Sequence, residues 1–134
     1  MKRIAILGST GSIGRSALDI VSAHRDRFRV TVLTAGSNVA LLDKQVESFA
    51  PDVVAVADNK AAQELKRRIG KKRASLLTIL SGQDGIAEAA AYEDSDFVLS
   101  AIVGAAGLIP TLSAVRSGKT IGLANKEALV MAGR

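Results

Sequence analysis

The sequence contains no cysteine and no tryptophan, and only two prolines, one histidine and one tyrosine in 134 residues. Without cysteine there is no disulfide, no thiolate nucleophile and no zinc–thiolate site. Aromatics make up 3% of the chain, which leaves little for stacking against bases. No apolar run approaches the roughly 18 to 20 residues that a membrane span requires. The opening Met1-Lys2-Arg3-Ile4-Ala5-Ile6-Leu7-Gly8 reaches turn residues too soon for a signal peptide. These absences predict a cytoplasmic protein that contacts neither membrane nor nucleic acid.

What is present is a core. At 48% hydrophobic and 23% charged residues, the chain is excluded from the disordered class and is sized for one globular domain. The net charge of +5 favours anionic partners without choosing among them. Its densest cluster, Lys66, Arg67, Arg68, Lys71, Lys72 and Arg73, has no interleaved aromatics. It reads as a solvated helix end with cations at the negative pole. His24 falls at the end of the first helical stretch, where a cation is favoured, and is not read as a general base.

Short β-rich runs alternate with amphipathic segments throughout: Ile4 to Leu7, Phe28 to Ala35, Val53 to Ala57, Leu76 to Leu80, Phe97 to Val103 and Thr120 to Ala124. Between them, Ile13, Ala17, Ile20 and Val21 form one stripe of helical period, and Leu42, Val46 and Phe49 another. Pro51 and Gly70 close helices, and Gly107 with Pro110 opens the helix carrying Leu112 and Val115. Runs such as Val53-Val54-Ala55-Val56 are apolar without alternation, as strands covered on both faces must be. The pattern predicts an α/β fold: a Rossmann-type, doubly wound, mostly parallel sheet of about six strands with helices on both faces.

Gly8-Ser9-Thr10-Gly11-Ser12-Ile13-Gly14 follows the first strand and leads into a helix. Glycines so placed allow a tight turn, a close phosphate and a close helix, while the helix N-terminus offers free N–H groups and partial positive charge. Thr10, Ser12 and the amides of Gly11 and Ile13 are the expected pyrophosphate donors. After the second strand comes Thr34-Ala35-Gly36-Ser37-Asn38, with no carboxylate until Asp43. An NAD site would place an acid there for the ribose 2′-hydroxyl; Gly36, Ser37 and Asn38 instead favour NADP(H). Asn38 also suits the N-cap of the following helix.

Past the last strand, Asn125-Lys126-Glu127 either projects toward the ligand crevice or simply caps a surface helix. The small residues of Ser100 to Gly107 serve equally as a cofactor wall or as tight strand–helix packing. Tyr92 has no companion lysine, and Asp94 and Asp96 read as strand-boundary residues rather than metal ligands. No nucleophile–base pair is apparent. The chain is therefore expected to hold no catalytic residue and no metal ligand of its own.

The glycine loop together with Ala35-Gly36-Ser37-Asn38, Ala101-Ile102-Val103-Gly104-Ala105-Ala106-Gly107 and Leu123-Ala124-Asn125-Lys126-Glu127 closely resembles the amino-terminal domain of the 1-deoxy-D-xylulose 5-phosphate reductoisomerases. These are NADPH-dependent enzymes of the methylerythritol phosphate route to isoprenoids. The resemblance spans essentially the whole chain. It implies that Thr10, Gly11, Ser12 and Ile13 hold the pyrophosphate and that Gly36, Ser37 and Asn38 surround the ribose phosphate. It further implies that Asn125 and Glu127 approach the nicotinamide half while Lys126 contacts the sugar-phosphate substrate. Family members often carry Lys or Arg where this chain has Ser37, which weakens the charge argument for the 2′-phosphate; Arg15 is a candidate compensating cation.

In the family, a ketose phosphate is isomerised to a branched aldehyde and then reduced, with Mg²⁺ or Mn²⁺ acting as Lewis acid. The metal ligands and lid lie downstream of the positions present here. The resemblance thus implies that residues 1–134 are the NADPH-binding domain of a homodimeric enzyme, able to bind NADPH but not to turn over alone. Alternatives are a reductase of the aspartate-semialdehyde or dihydrodipicolinate type, or a non-catalytic nucleotide-sensing module. The first of these needs a catalytic cysteine that the sequence lacks.

Overall fold

The computed structural model describes residues 1–102 and 108–123. Within them the six strands are β1 (Lys2–Leu7), β2 (Phe28–Thr34), β3 (Val53–Val56), β4 (Thr78–Ser81), β5 (Phe97–Ser100) and β6 (Thr120–Leu123). They form one sheet in the order β4-β3-β2-β1-β5-β6, and every neighbouring pair is parallel. The order reverses at β1, so the crevice beyond the carboxyl ends of β1 and β5 is the topological switch point of a Rossmann-type fold.

The helices are α1 (Ser12–Ala23), α2 (Val39–Phe49), α3 (Asn59–Ile69), α4 (Lys71–Ala74), α5 (Gly82–Ala90) and α6 (Leu108–Arg116). One core packs Ile4, Ile6, Leu33, Val54 and Val56 of the sheet against Leu18 and Val21 of α1, Leu42 of α2 and Leu65 of α3. The other packs Ala5, Leu7, Val32 and Val98 against Ala89 of α5 and Ala114 of α6. Both faces are covered, which is why the central strands show no polar alternation. No helix among the described residues is long and apolar enough to cross a membrane.

The structure keeps Ala17 and Val21 of the first helical stripe and Leu42 and Val46 of the second, and corrects the rest. The buried face of α1 is Gly14, Ala17, Leu18 and Val21, and that of α2 is Val39, Leu42, Gln45 and Val46. Ile13 is left 43% exposed, and Ile20 and Phe49 are only partly buried. Val115 likewise faces outward, while Pro110 and Ala114 are buried. The fourth strand begins at Thr78 rather than Leu76, which is exposed. The basic cluster splits at Gly70: Lys66, Arg67 and Arg68 form the last turn of α3, and Lys71, Lys72 and Arg73 belong to the short α4.

A bulge in β2 is not legible in the sequence. Ile4 pairs with Val30 but Ala5 pairs with Val32, leaving Thr31 as the extra residue. Its hydroxyl donates to the Ile4 carbonyl at 3.2 Å and pairs with Ser95 Oγ at 2.7 Å, and its carbonyl accepts from Asp52 N at 2.8 Å. The bulge shifts the alternation, so that Val30 and Leu33 share one face and Val32 takes the other.

The amino ends of the strands are tied by charge. Arg3 grips Asp96 with two guanidinium bonds of 3.0 and 3.2 Å, and Arg29 grips Asp52 with bonds of 2.6 and 3.2 Å. The Tyr92 hydroxyl bridges Asp52 and Asp94 at 3.2 and 3.1 Å. The Arg3 hydrogen bonds hold the Asp96 carboxyl down at about 2. Desolvation, then the charge of Asp52 and the hydrogen bond to Asp94, push the Tyr92 phenol up to about 12. Asp94 and Asp96 are thus boundary residues that clamp the sheet.

Candidate functional site

The site is built at the opposite, carboxyl edge. Gly8 takes φ +81, and a Cβ there would lie 3.0 Å from Ile102 Cγ1 and 3.2 Å from the Ala101 backbone. Its amide and that of Ser9 both donate to the Thr34 carbonyl, at 3.0 and 2.8 Å, and the Thr34 hydroxyl oxygen also accepts from Gly8 at 3.0 Å. The first loop is thereby fastened to the end of β2. At Gly14 the helix presses directly on that loop, since a Cβ would fall 2.1 Å from the Gly8 carbonyl oxygen.

Gly11 is different. It has the ordinary extended φ of −74, and among the described residues an added Cβ would meet nothing nearer than the Gly8 oxygen at 3.9 Å. Neither its conformation nor its packing demands glycine, so what it provides is open space outside the chain. It is the N-cap of α1, and no side chain caps the helix from this position. The first amides of α1 therefore present partial positive charge at a surface where Gly11, Ser12 and Ile13 are exposed and Thr10 is half-buried. An oxyanion group such as a phosphate suits this surface by charge and by hydrogen bonding. Arg15 lies exposed on the same first turn.

Beside it, Gly36, Ser37 and Asn38 are exposed on the turn from β2 to α2. Asn38 Oδ1 accepts from Leu41 N at 3.3 Å, so it does cap α2. A Cβ on Gly36 would touch nothing within 4 Å among the described residues, again leaving room rather than relieving crowding. The Gly36 carbonyl accepts from Ala57 N at 3.2 Å, which draws the end of β3 alongside. Asp58 follows there, so a carboxylate does stand at this edge, supplied by β3 rather than β2. Its Oδ1 accepts from Ala61 N at 2.8 Å as the N-cap of α3.

The structure thus brings together, along one sheet edge, the two loops carrying Thr10, Gly11, Ser12, Ile13, Gly36, Ser37 and Asn38. Asn125, Lys126 and Glu127 lie outside the described residues, as do Val103 to Gly107. His24 is the exposed C-cap residue of α1, at the end of that helix opposite the first loop. Among the described residues no group of three or more His, Asp or Glu side chains could hold a metal ion. Sequence reasoning overlooked Thr34 and Gln45, which fasten the first loop. A signal was present: Gln45 interrupts the otherwise apolar face of α2.

Comparison with known proteins gives a consistent set. A family model described as 1-deoxy-D-xylulose 5-phosphate reductoisomerase matches residues 4–133. The enzyme of that name from Geotalea uraniireducens (strain Rf4) is 55% identical over 134 residues, covering 100% of this chain and 34% of the relative. That from Thermodesulfovibrio yellowstonii is 51% identical over 133 residues, again covering 34% of the relative. The chain spans about a third of the length of these relatives. Among solved structures, the Zymomonas mobilis enzyme in complex with NADPH is 39% identical, with a TM-score of 0.82 over 96% of this chain and 33% of that one. A reductoisomerase in complex with NADPH, fosmidomycin and magnesium is 42% identical, with a TM-score of 0.85 over 98% of this chain and 32% of that one.

Proposed function

Given that this chain belongs to the 1-deoxy-D-xylulose 5-phosphate reductoisomerase family, we propose that residues 1–134 are its NADPH-binding domain. The observation that carries this is the uncapped start of α1 beside Gly11, where neither backbone angle nor packing requires glycine. There the amides of Gly11, Ser12 and Ile13, with the Thr10 and Ser12 hydroxyls, bind the pyrophosphate. Gly36, Ser37 and Asn38 receive the ribose 2′-phosphate through neutral donors. Asn125 and Glu127 orient the nicotinamide half, and Lys126 meets the phosphorylated sugar. NADPH, when bound, supplies the hydride; the residues of this chain hold it and fix its direction.

The parent activity is the isomerisation and reduction of 1-deoxy-D-xylulose 5-phosphate to 2-C-methyl-D-erythritol 4-phosphate for isoprenoid synthesis. We place it in the cytoplasm, in a homodimer, without nucleic-acid or membrane contact. The described residues gather no ligand set for the Mg²⁺ or Mn²⁺ of the full-length enzyme. Residues 1–134 bind NADPH without turnover. Two measurements test this. NADPH should shift the backbone amide resonances of Gly11 to Ile13 and Gly36 to Asn38 while leaving those of the amino edge, such as Asp96, in place. Steady-state NADPH oxidation with 1-deoxy-D-xylulose 5-phosphate and Mg²⁺ should be absent, and turnover by the purified chain would contradict the assignment.

A further inference from the structure

Gln45 is 6% exposed on a helix face otherwise made of Val39, Leu42 and Val46. Burying an amide is costly unless both of its ends are paired. Here both ends are spent on one residue of the phosphate loop. Gln45 Nε2 donates to the Ser9 carbonyl at 2.9 Å, and Gln45 Oε1 accepts from Ser9 Oγ at 2.7 Å. Ser9 is fully buried and cannot itself touch a ligand. From the other side, the Gly8 and Ser9 amides are held by the Thr34 carbonyl. The segment immediately before Thr10 and Gly11 is thus gripped by β2 and by α2 together. That same helix begins at the Asn38 cap of the second loop.

We infer that Gln45 is a positioning residue, which sets the pyrophosphate-binding loop through Ser9 and keeps it in register with the Gly36–Asn38 loop. A loop carbonyl such as that of Ser9 must find a donor when buried, and Gln45 provides it. Once that donor is lost, Ser9 is held by Thr34 alone, its carbonyl is left to find another donor, and the amides after it lose their common aim. The inference rests on the NADPH assignment above, and it concerns one half of the ligand: the pyrophosphate, not the adenosine phosphate.

The test uses Gln45→Met, which keeps volume and helix propensity, and Ser9→Ala, which keeps the Ser9 carbonyl bond. Binding of NADPH and of adenosine 2′-phosphate, which lacks the pyrophosphate, is measured by calorimetry. Hydrogen exchange at Gly8 and Ser9 is read against that at Ile6 and Leu33. Gln45→Met should weaken NADPH about tenfold, the cost of re-ordering a loosened loop on binding, while adenosine 2′-phosphate changes less than about twofold. Exchange should quicken at Gly8 and Ser9 alone, and Ser9→Ala should show a smaller loss with the same selectivity. Equal weakening of both ligands, or undiminished NADPH binding by a folded variant, would overturn the inference. If Gln45→Met does not fold, the ligand selectivity of Ser9→Ala decides. Should the unmutated chain bind no NADPH, the functional assignment fails; the positioning inference then stands or falls on exchange at Gly8 and Ser9.

Discussion

At the scale of single residues, three glycines that look alike in the sequence do different work, and Gly8 is the one held at positive φ against Ala101 and Ile102. Gly14 is a packing glycine: a Cβ would sit 2.1 Å from the Gly8 oxygen and 2.7 Å from Ser9 Cα. Gly11 has space for a Cβ and an ordinary backbone, so its value lies with whatever approaches from outside. Gly14→Ala should therefore destabilise the chain by about 1–3 kcal/mol, as overpacking does, and disturb binding with it. Gly11→Ala should stay within about 1 kcal/mol of the parent in urea denaturation, the usual range for an N-cap change, yet weaken NADPH. Matching losses of stability in both variants would contradict this division. The spacing in the sequence located the loop and its chemistry. It could not say which glycine faced protein and which faced ligand, because that depends on how closely Ala101, Ile102 and Ser9 approach.

At the scale of elements, the helices and strands were legible from periodicity, and the errors have local causes. Ile13 joins the buried stripe by its apolar character and spacing, but its place at the open start of α1 leaves it 43% exposed. The bulge at Thr31 escaped because a bulge changes register, not composition. The charged clamp at the amino edge escaped because Arg3, Arg29, Asp52, Tyr92 and Asp96 meet only when the strands align. That clamp has a clean optical probe, since Tyr92 is the one tyrosine and no tryptophan is present. A phenol whose folded-state value is raised contributes stability fully present below its unfolded value, about 10, and lost as pH rises through the folded one. Phenolate absorbance should appear with a midpoint near 12 in the folded chain and near its ordinary value in denaturant. A folded-state midpoint at the denatured value would contradict the burial of the Tyr92 hydroxyl against Asp52 and Asp94.

At the scale of the whole molecule, the two ends of the sheet divide the labour. The amino edge is held by ion pairs, while the carboxyl edge leaves an uncapped helix start and two open glycine turns beside the switch point. The parallel order was legible because runs such as Ile4-Ala5-Ile6-Leu7 admit helices on both faces and little else. Placement of the Asn125-Lys126-Glu127 segment was not, since it lies outside the described residues and its spacing fits both a crevice and a cap. The choice between cofactors also belongs to this scale. No carboxylate follows β2 directly, yet Ser37 brings no cation and Asp58 stands at the neighbouring edge. The proposed preference for a 2′-phosphate then rests on helix amides, neutral donors, the exposed Arg15 and a net charge of +5 acting together. Calorimetric titration of the 134-residue chain with NADPH and with NADH tests this most directly. The predicted result is saturable binding of NADPH, tighter than NADH by about tenfold or more, as a charge-assisted contact to the extra phosphate would give. Binding of neither cofactor, or equal affinity for both, would contradict it.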